Sequence, residues 1–174
     1  ARPRALGRVS GWGWSLGYAA GLFLDGACGV ASVTTADGSS QVFNSDDGLF
    51  HFAPQKGRHT ELSRSGTAFV FTDKAGTRHH YESPDADGRP RLDFIEEPHG
   101  DILVFTYDGA SRLTKVAEVQ PEVGEVRAVT FDYRSIQGED RIVRAEIAAL
   151  RRAADYEYDT RANLPNATPS GPAL

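Results

Sequence analysis

Gly13-Trp14-Ser15-Leu16-Gly17 has the G-x-S-x-G spacing of a nucleophile elbow. That motif exposes a serine on a sharp strand-to-helix turn, where a histidine and an acid must converge on its hydroxyl. Only twelve residues precede Gly13, and no alternation of strands and helices follows it. Ser15 therefore reads as a turn residue, and a hydrolase is the weaker reading. Five histidines, His51, His59, His79, His80 and His99, could suggest a metal centre. Neighbouring residues in a strand point to opposite faces, so His79 and His80 cannot share one ion, and no ligand pair has C-x-x-C or H-x-x-x-H spacing. The stretch from Ser83 to Gly88 resembles the start of a calcium loop, but its twelfth position is Phe94 rather than a bidentate Glu, so it reads as a hairpin turn. Asn166-Ala167-Thr168 is a formal glycosylation sequon followed by Pro169. Cys28 is the only cysteine, which excludes an internal disulfide. From these residues the chain is expected to carry no catalytic, cofactor-binding or metal-binding site, and not to be an enzyme.

The elements that would position such residues are strands. Asp-Gly, Lys-Gly, Ser-Gly, Ala-Gly and His-Gly pairs end at Gly38, Gly48, Gly57, Gly66, Gly76, Gly88 and Gly100, spaced 9 to 12 residues apart. Short strands at that spacing between glycine turns predict an antiparallel all-β meander. Val42-Phe43, Leu49-Phe50-His51-Phe52, Phe69-Val70-Phe71, His79-His80-Tyr81 and Leu92-Asp93-Phe94-Ile95 all fit strands. No helix-length segment separates them, which excludes parallel βαβ units. Residues 141–154 are rich in good helix formers yet also alternate, with Val143, Ala145, Ile147 and Ala149 on one face. The strand is preferred there, because it keeps the register of the repeat described next.

The clearest unit is Phe105-Thr106-Tyr107-Asp108-Gly109-Ala110-Ser111-Arg112-Leu113-Thr114-Lys115-Val116. It reads as strand, Asp-Gly turn with Gly109 taking the positive φ, and strand, with Leu103, Phe105 and Tyr107 on one face. After the turn, Leu113 and Lys115 are expected to oppose Thr114 and Val116. Phe131-Asp132-Tyr133 follows 26 residues after Phe105, and Tyr156-Glu157-Tyr158 another 25 residues on. Each aromatic pair leads through a turn to a basic or amide residue and an aliphatic one: Arg112-Leu113, Arg141-Ile142, Asn163-Leu164. A fixed period of this size marks a repeat architecture.

The bulk properties are ordinary for a globular chain: 174 residues, 40% hydrophobic, 25% charged and a net charge of −5. No apolar run approaches the roughly 20 residues that span a bilayer. The acidic balance argues against nucleic acid as a partner. The chain starts at Ala1 and reads as processed or excised. Three parts are expected: a Gly/Trp-rich segment at 1–29, a β-repeat region at 30–164, and a proline-rich tail or linker at 165–174.

Tyr107-Asp108-Gly109-Ala110-Ser111-Arg112-Leu113-Thr114 is similar to the core of the YD repeat. Tyr158-Asp159-Thr160-Arg161-Ala162-Asn163-Leu164 looks like a second copy, Phe131-Asp132-Tyr133 a lengthened third, and the stretch from Gly88 to Glu96 a further upstream unit. Gly11-Trp12-Gly13-Trp14-Ser15, followed by Val33-Thr34-Thr35-Ala36-Asp37-Gly38, resembles the region that opens the repeat array in Rhs proteins. The resemblance to the Rhs/YD-repeat family covers most of residues 11–164, and places them in the early part of the repeat region. It implies a non-catalytic scaffold: part of a coiled β-sheet shell that encloses a toxin cargo in bacterial members and stands at cell surfaces in teneurins. A secreted or cell-surface bacterial location follows from the same likeness. Open sheet edges would pair with the rest of a longer polypeptide or with identical copies, in a shell or a filament. The second expectation is an adhesin that contacts carbohydrate or a cell surface through Trp12 and Trp14.

Overall fold

The computed structural model describes residues 21–158, apart from 36, 54–56, 58 and 85–88. The chain is all-β and antiparallel. Strands β1 (Gly21–Asp25), β2 (Val30–Thr34) and β3 (Ser40–Asn44) form a three-stranded sheet. Strands β4 (Glu61–Ser65), β5 (Ala68–Thr72), β6 (Arg78–Tyr81), β7 (Leu92–Glu96), β8 (Ile102–Tyr107), β9 (Leu113–Gln120), β10 (Gly124–Ile136), β11 (Glu139–Ile147) and β12 (Arg152–Asp155) form a nine-stranded sheet. Each strand pairs with its sequence neighbour, so both sheets are meanders. Among the described residues, no helix is long and apolar enough to cross a membrane.

One core joins the sheets. Leu22, Ala31, Val33 and Phe43 from the small sheet pack with Leu62, Phe69, Phe71, Tyr81, Leu92, Ile95, Phe105 and Leu113 from the large one. Phe43 meets Phe71 edge to face, with ring centroids 6.1 Å apart, an arrangement that aligns the positive ring edge with the negative face. The alternation of β5 explains the choice of face: Phe69 and Phe71 are buried, while Ala68, Val70 and Thr72 are partly exposed. β1 starts within the segment expected to precede the repeats, so 1–29 is not all outside the sheets.

The ambiguous stretch at 141–154 is strand, turn and strand. β11 runs to Ile147, a single 3-10 turn occupies Ala148–Leu150, and Arg151 at φ 49° feeds β12. Pairing of Ala145 with Ala154 and of Ile147 with Arg152 outweighs the helix propensity of the sequence.

Three local expectations are corrected. The stretch from Leu49 to Phe52 is a loop, followed by a single Asn44–Ala53 bridge, and it meets the large sheet through side chains, Phe52 against Phe69 and Phe50 under Arg64. The Asp47 carboxylate accepts from the backbone N–H groups of Phe50 and His51, and Ser45 Oγ accepts from that of Leu49. Local acceptors thus take the donors a strand would have used. In the 108–112 turn the left-handed residue is Ser111, at φ 62°, and not Gly109. The same turn, with its fourth residue left-handed, occurs at 35–39, 73–77 and 97–101, where Gly38, Gly76 and Gly100 fill that place. The Asp108 carboxylate organises the turn by accepting from the N–H groups of Ala110 and Arg112, as Asp73 does from Ala75 and Thr77. Finally, Leu113 and Val116 do not oppose each other. Thr106 pairs with Lys115 but Tyr107 with Leu113, so Thr114 is the extra residue of a β-bulge that resets the alternation. Both Leu113 and Val116 then reach the core.

Gly29 and Gly138 separate clash from conformational strain. A Cβ on Gly29 would stand 2.3 Å from the Ser45 carbonyl oxygen, whereas one on Gly138 would meet nothing within 4 Å, and both residues have positive φ. Gly138→Ala is expected to cost about 1–2 kcal/mol, the ordinary left-handed penalty. Gly29→Ala is expected to cost clearly more, because the Ser45 N–H donates to the Gly29 carbonyl at 2.7 Å and backbone must move. Urea denaturation of the two variants checks the order, and equal losses would contradict it.

Candidate functional site

The most organised side chains are arginines and tyrosines that recur with the repeat. Tyr81, Tyr107 and Tyr133 each pair across a hairpin with an aliphatic residue, Leu92, Leu113 and Ile142 respectively. Beside every such pair the register slips by one residue, leaving Asp93, Thr114 and Val143 as bulges. Three successive hairpins, β6–β7, β8–β9 and β10–β11, therefore share one internal geometry.

A second contact links each hairpin to the next. The Tyr107 hydroxyl donates to the Leu92 carbonyl at 2.9 Å, Tyr133 to the Leu113 carbonyl at 2.8 Å, and Tyr158 to the Ile142 carbonyl at 2.7 Å. The residue before each accepting aliphatic is an arginine that lies over the same tyrosine ring. Arg91 stands 5.3 Å from the Tyr107 centroid, Arg112 is 5.2 Å from Tyr133, and Arg141 is 5.1 Å from Tyr158. That is within cation–π range. The tyrosine is held from two sides by consecutive residues of the preceding hairpin, an arrangement called the bracket below.

The location follows from the ladder. Pairing of β7 with β8 runs no further toward this end than Phe94, that of β9 with β10 ends at Lys115, and that of β11 with β12 ends at Arg144. Each accepting carbonyl lies two residues beyond, where strand pairing has stopped. An unpaired carbonyl in a half-buried place is costly, and the phenol supplies its donor. Burial raises the pKa of the Tyr107 hydroxyl and pushes that of Tyr133 up to about 12, so the phenols stay donors through the neutral range.

Carboxylates hold the arginines. Glu82 pairs with Arg91 at 2.7 Å, Asp108 with Arg112 at 2.7 Å, and Glu139 with Arg141 at 3.3 Å. In the first two units the acid directly follows the tyrosine; after Tyr133 that place is Arg134, and Glu139 takes over. Asp140 adds a second carboxylate 3.3 Å from Arg112. The N–H of Arg112, and then its guanidinium, hold the Asp108 carboxyl below its ordinary pKa. Its folded pKa is depressed, so this contribution to stability is present above about pH 4 and fades as the pH falls through the folded value.

The residues singled out for chemistry are dispersed. His79 sits beside Phe71 on the core-facing side of β6, whereas His80 stacks on Phe94 on the other side, with centroids 4.0 Å apart. His51 pairs with Asp47 in the loop after β3, and His59 and His99 are exposed. Among the described residues, no three His, Cys, Asp or Glu side chains gather as a metal site. Cys28 is exposed in the β1–β2 turn, where Asp25 accepts from its N–H. Phe94, the twelfth position of the calcium-like stretch, is a strand residue in β7, while 85–88 lie outside the described residues. Ser15, Trp12, Trp14, Asn163, Leu164 and the sequon at Asn166 also lie outside them.

Sequence reading missed Tyr81 as a member of the series. The signal was present, because Tyr81 precedes Tyr107 by 26 residues, as Tyr107 precedes Tyr133. No family model matches the chain, and a search of curated proteins finds no match.

Removing one hydroxyl tests the bracket. Tyr133→Phe is expected to cost about 1 kcal/mol through the orphaned Leu113 carbonyl. A double-mutant cycle of Arg112→Ala with Tyr133→Leu should show a coupling of about 0.5–1 kcal/mol. Chemical denaturation supplies both figures; additive effects within error would mean that the stacking contributes nothing.

Proposed function

We propose that this chain is a non-catalytic β-scaffold segment of the Rhs/YD-repeat kind, whose work is to extend and hold a sheet. The observation that carries this reading is the bracket, which recurs between successive hairpins with the same three parts: arginine over the ring, hydroxyl on the carbonyl, bulge beside the pair. Repetition of a contact that joins neighbours is how quasi-one-dimensional architectures grow. A catalytic site would instead need unlike groups brought together once.

The reading extends to assembly. β12 is exposed along its whole length, and among the described residues it pairs only with β11. The Tyr156 N–H donates to the Val143 carbonyl, so the N–H groups of Ala154 and Arg152 point inward and those of Ala153 and Asp155 point outward. Outward donors at a sheet end are templates for another strand. Under this proposal that strand comes from the continuing repeat of a longer polypeptide or from an identical copy, in a shell around a toxin cargo or in an open assembly. A secreted or cell-surface bacterial setting belongs to the same proposal.

Proline at position 153 removes an outward donor without breaking the β11–β12 ladder. Light scattering across a concentration series should show the wild-type protein associating and Ala153→Pro associating less, with circular dichroism unchanged. A wild-type protein that stays monomeric over the whole range would overturn the edge-pairing part of the proposal.

A further inference from the structure

β6, third from the β4 edge of the large sheet, places two histidines side by side, and their surroundings differ. His79 is cross-strand partner to Phe71 of β5 and Ile95 of β7, both buried core residues. Its ring centroid is 5.6 Å from that of Phe71, which in turn meets Phe43 of the small sheet. His79 Nδ1 is buried and makes no hydrogen bond. His80, on the opposite side, has its Nε2 3.5 Å from the Glu96 carboxylate. That distance is too long for a good hydrogen bond while the ring is neutral, but it is an ion pair once the ring is charged.

We propose that His79 is an acid-sensitive latch on the packing between the two sheets: protonation of its ring puts a charge, with no acceptor for Nδ1, on the core-facing side of β6. A neutral imidazole behaves there as a flat, mostly apolar plate against Phe71. A charged one needs an acceptor for each ring N–H, and the buried Nδ1 has none. The small sheet contributes Leu22, Ala31, Val33 and Phe43 to this core, all apolar. β7 presents Ile95, and β5 presents Phe71. The charged or titratable groups acting on the ring are Asp73, just past the end of β5, which favours the charge, and His80 across the strand, which opposes it. Desolvation outweighs both and lowers the His79 pKa from its ordinary 6.5. His80 is also lowered, chiefly by burial, but Glu96 stands ready to accept its proton-bearing form.

The sign follows from the folded value lying below the unfolded one. At pH above about 6.5 both states are neutral at this ring and its full contribution is present. Between the unfolded and folded values the unfolded chain binds the proton first, so stability falls as the pH drops. Acid therefore loosens the junction of the sheets at the place where Phe43, Phe71 and His79 meet. This inference depends on the described packing and not on the scaffold reading.

The test uses the whole chain. Urea midpoints of wild type, His79→Phe and His80→Gln are measured from pH 8 to pH 5, together with binding of a hydrophobic dye. Wild type and His80→Gln are expected to lose midpoint and gain dye binding toward pH 5. His79→Phe is expected to lose clearly less midpoint than wild type and gain less dye binding, the remainder coming from His80, whose pKa is also lowered. A fall in His79→Phe equal to that of wild type would overturn the proposal. If His79→Phe does not fold, the ring proton resonances of wild type decide instead. A His79 titration below the ordinary histidine range supports the latch, and one at or above that range overturns it.

Discussion

A strand carbonyl left just past the end of a ladder has to be satisfied by something other than backbone, and here a tyrosine hydroxyl does it each time. The requirement fixes much else. The hydroxyl reaches the carbonyl of Leu92, Leu113 or Ile142 because the bulges at Asp93, Thr114 and Val143 reset the register beside those residues. The ring that carries the hydroxyl occupies the place where two hairpins part. The arginine before the accepting aliphatic then has a π face to cover, and the carboxylate of its own turn keeps it there. Remove the tyrosine and the carbonyl, the arginine and the bulge all lose their reason for position.

This chain of dependence explains why the repeat tolerates loops of different length. Five positions separate Tyr107 from Arg112, eight separate Tyr133 from Arg141, and ten separate Tyr81 from Arg91. A hairpin such as β8–β9 gives its tyrosine to the bracket before it and its arginine and aliphatic residue to the one after, so the brackets are indifferent to how the chain turns between. The 108–112 turn is closed by the Asp108 carboxylate, while β10 and β11 extend beyond Tyr133 and Ile142 to a tight turn with Gln137 and Gly138 both at positive φ. Turn chemistry varies and the contact between hairpins does not.

The period of the strands and the aromatic spacing are legible in the residues, since alternation and glycine punctuation are local. Even 141–154 could be read, because register set by Tyr133 and Tyr158 outranked propensity. What was not legible arises between strands. Nothing in Leu113-Thr114-Lys115-Val116 announces a bulge, which exists only because Thr106 and Tyr107 pair with residues two apart. The loop at 45–53 was misread because Leu49, Phe50 and Phe52 look like strand, whereas Ser45 and Asp47 had already captured the nearby donors. The bracket itself was visible only as parts: Arg-Leu dipeptides and aromatic pairs at a period, without the hydroxyl-to-carbonyl contact that makes them one device.

Burial thins along the large sheet, and that changes what holds each end. The inter-sheet core draws mainly on β4 to β9, with Phe131 of β10 packed against it, whereas β10 to β12 contribute Ile142 as their one buried hydrophobic among the described residues, and Val126 and Leu150 are exposed. At this end the strands are fastened by ladder bonds, by the brackets at Tyr133 and Tyr158, and by pairs such as Arg144 with Asp155 at 2.9 Å. Surface ion pairs contribute little each, about 0–1 kcal/mol. A bracket joins only neighbours, so its contribution does not depend on distance from the core. That makes it the interaction able to carry a sheet outward after the hydrophobic core has run out.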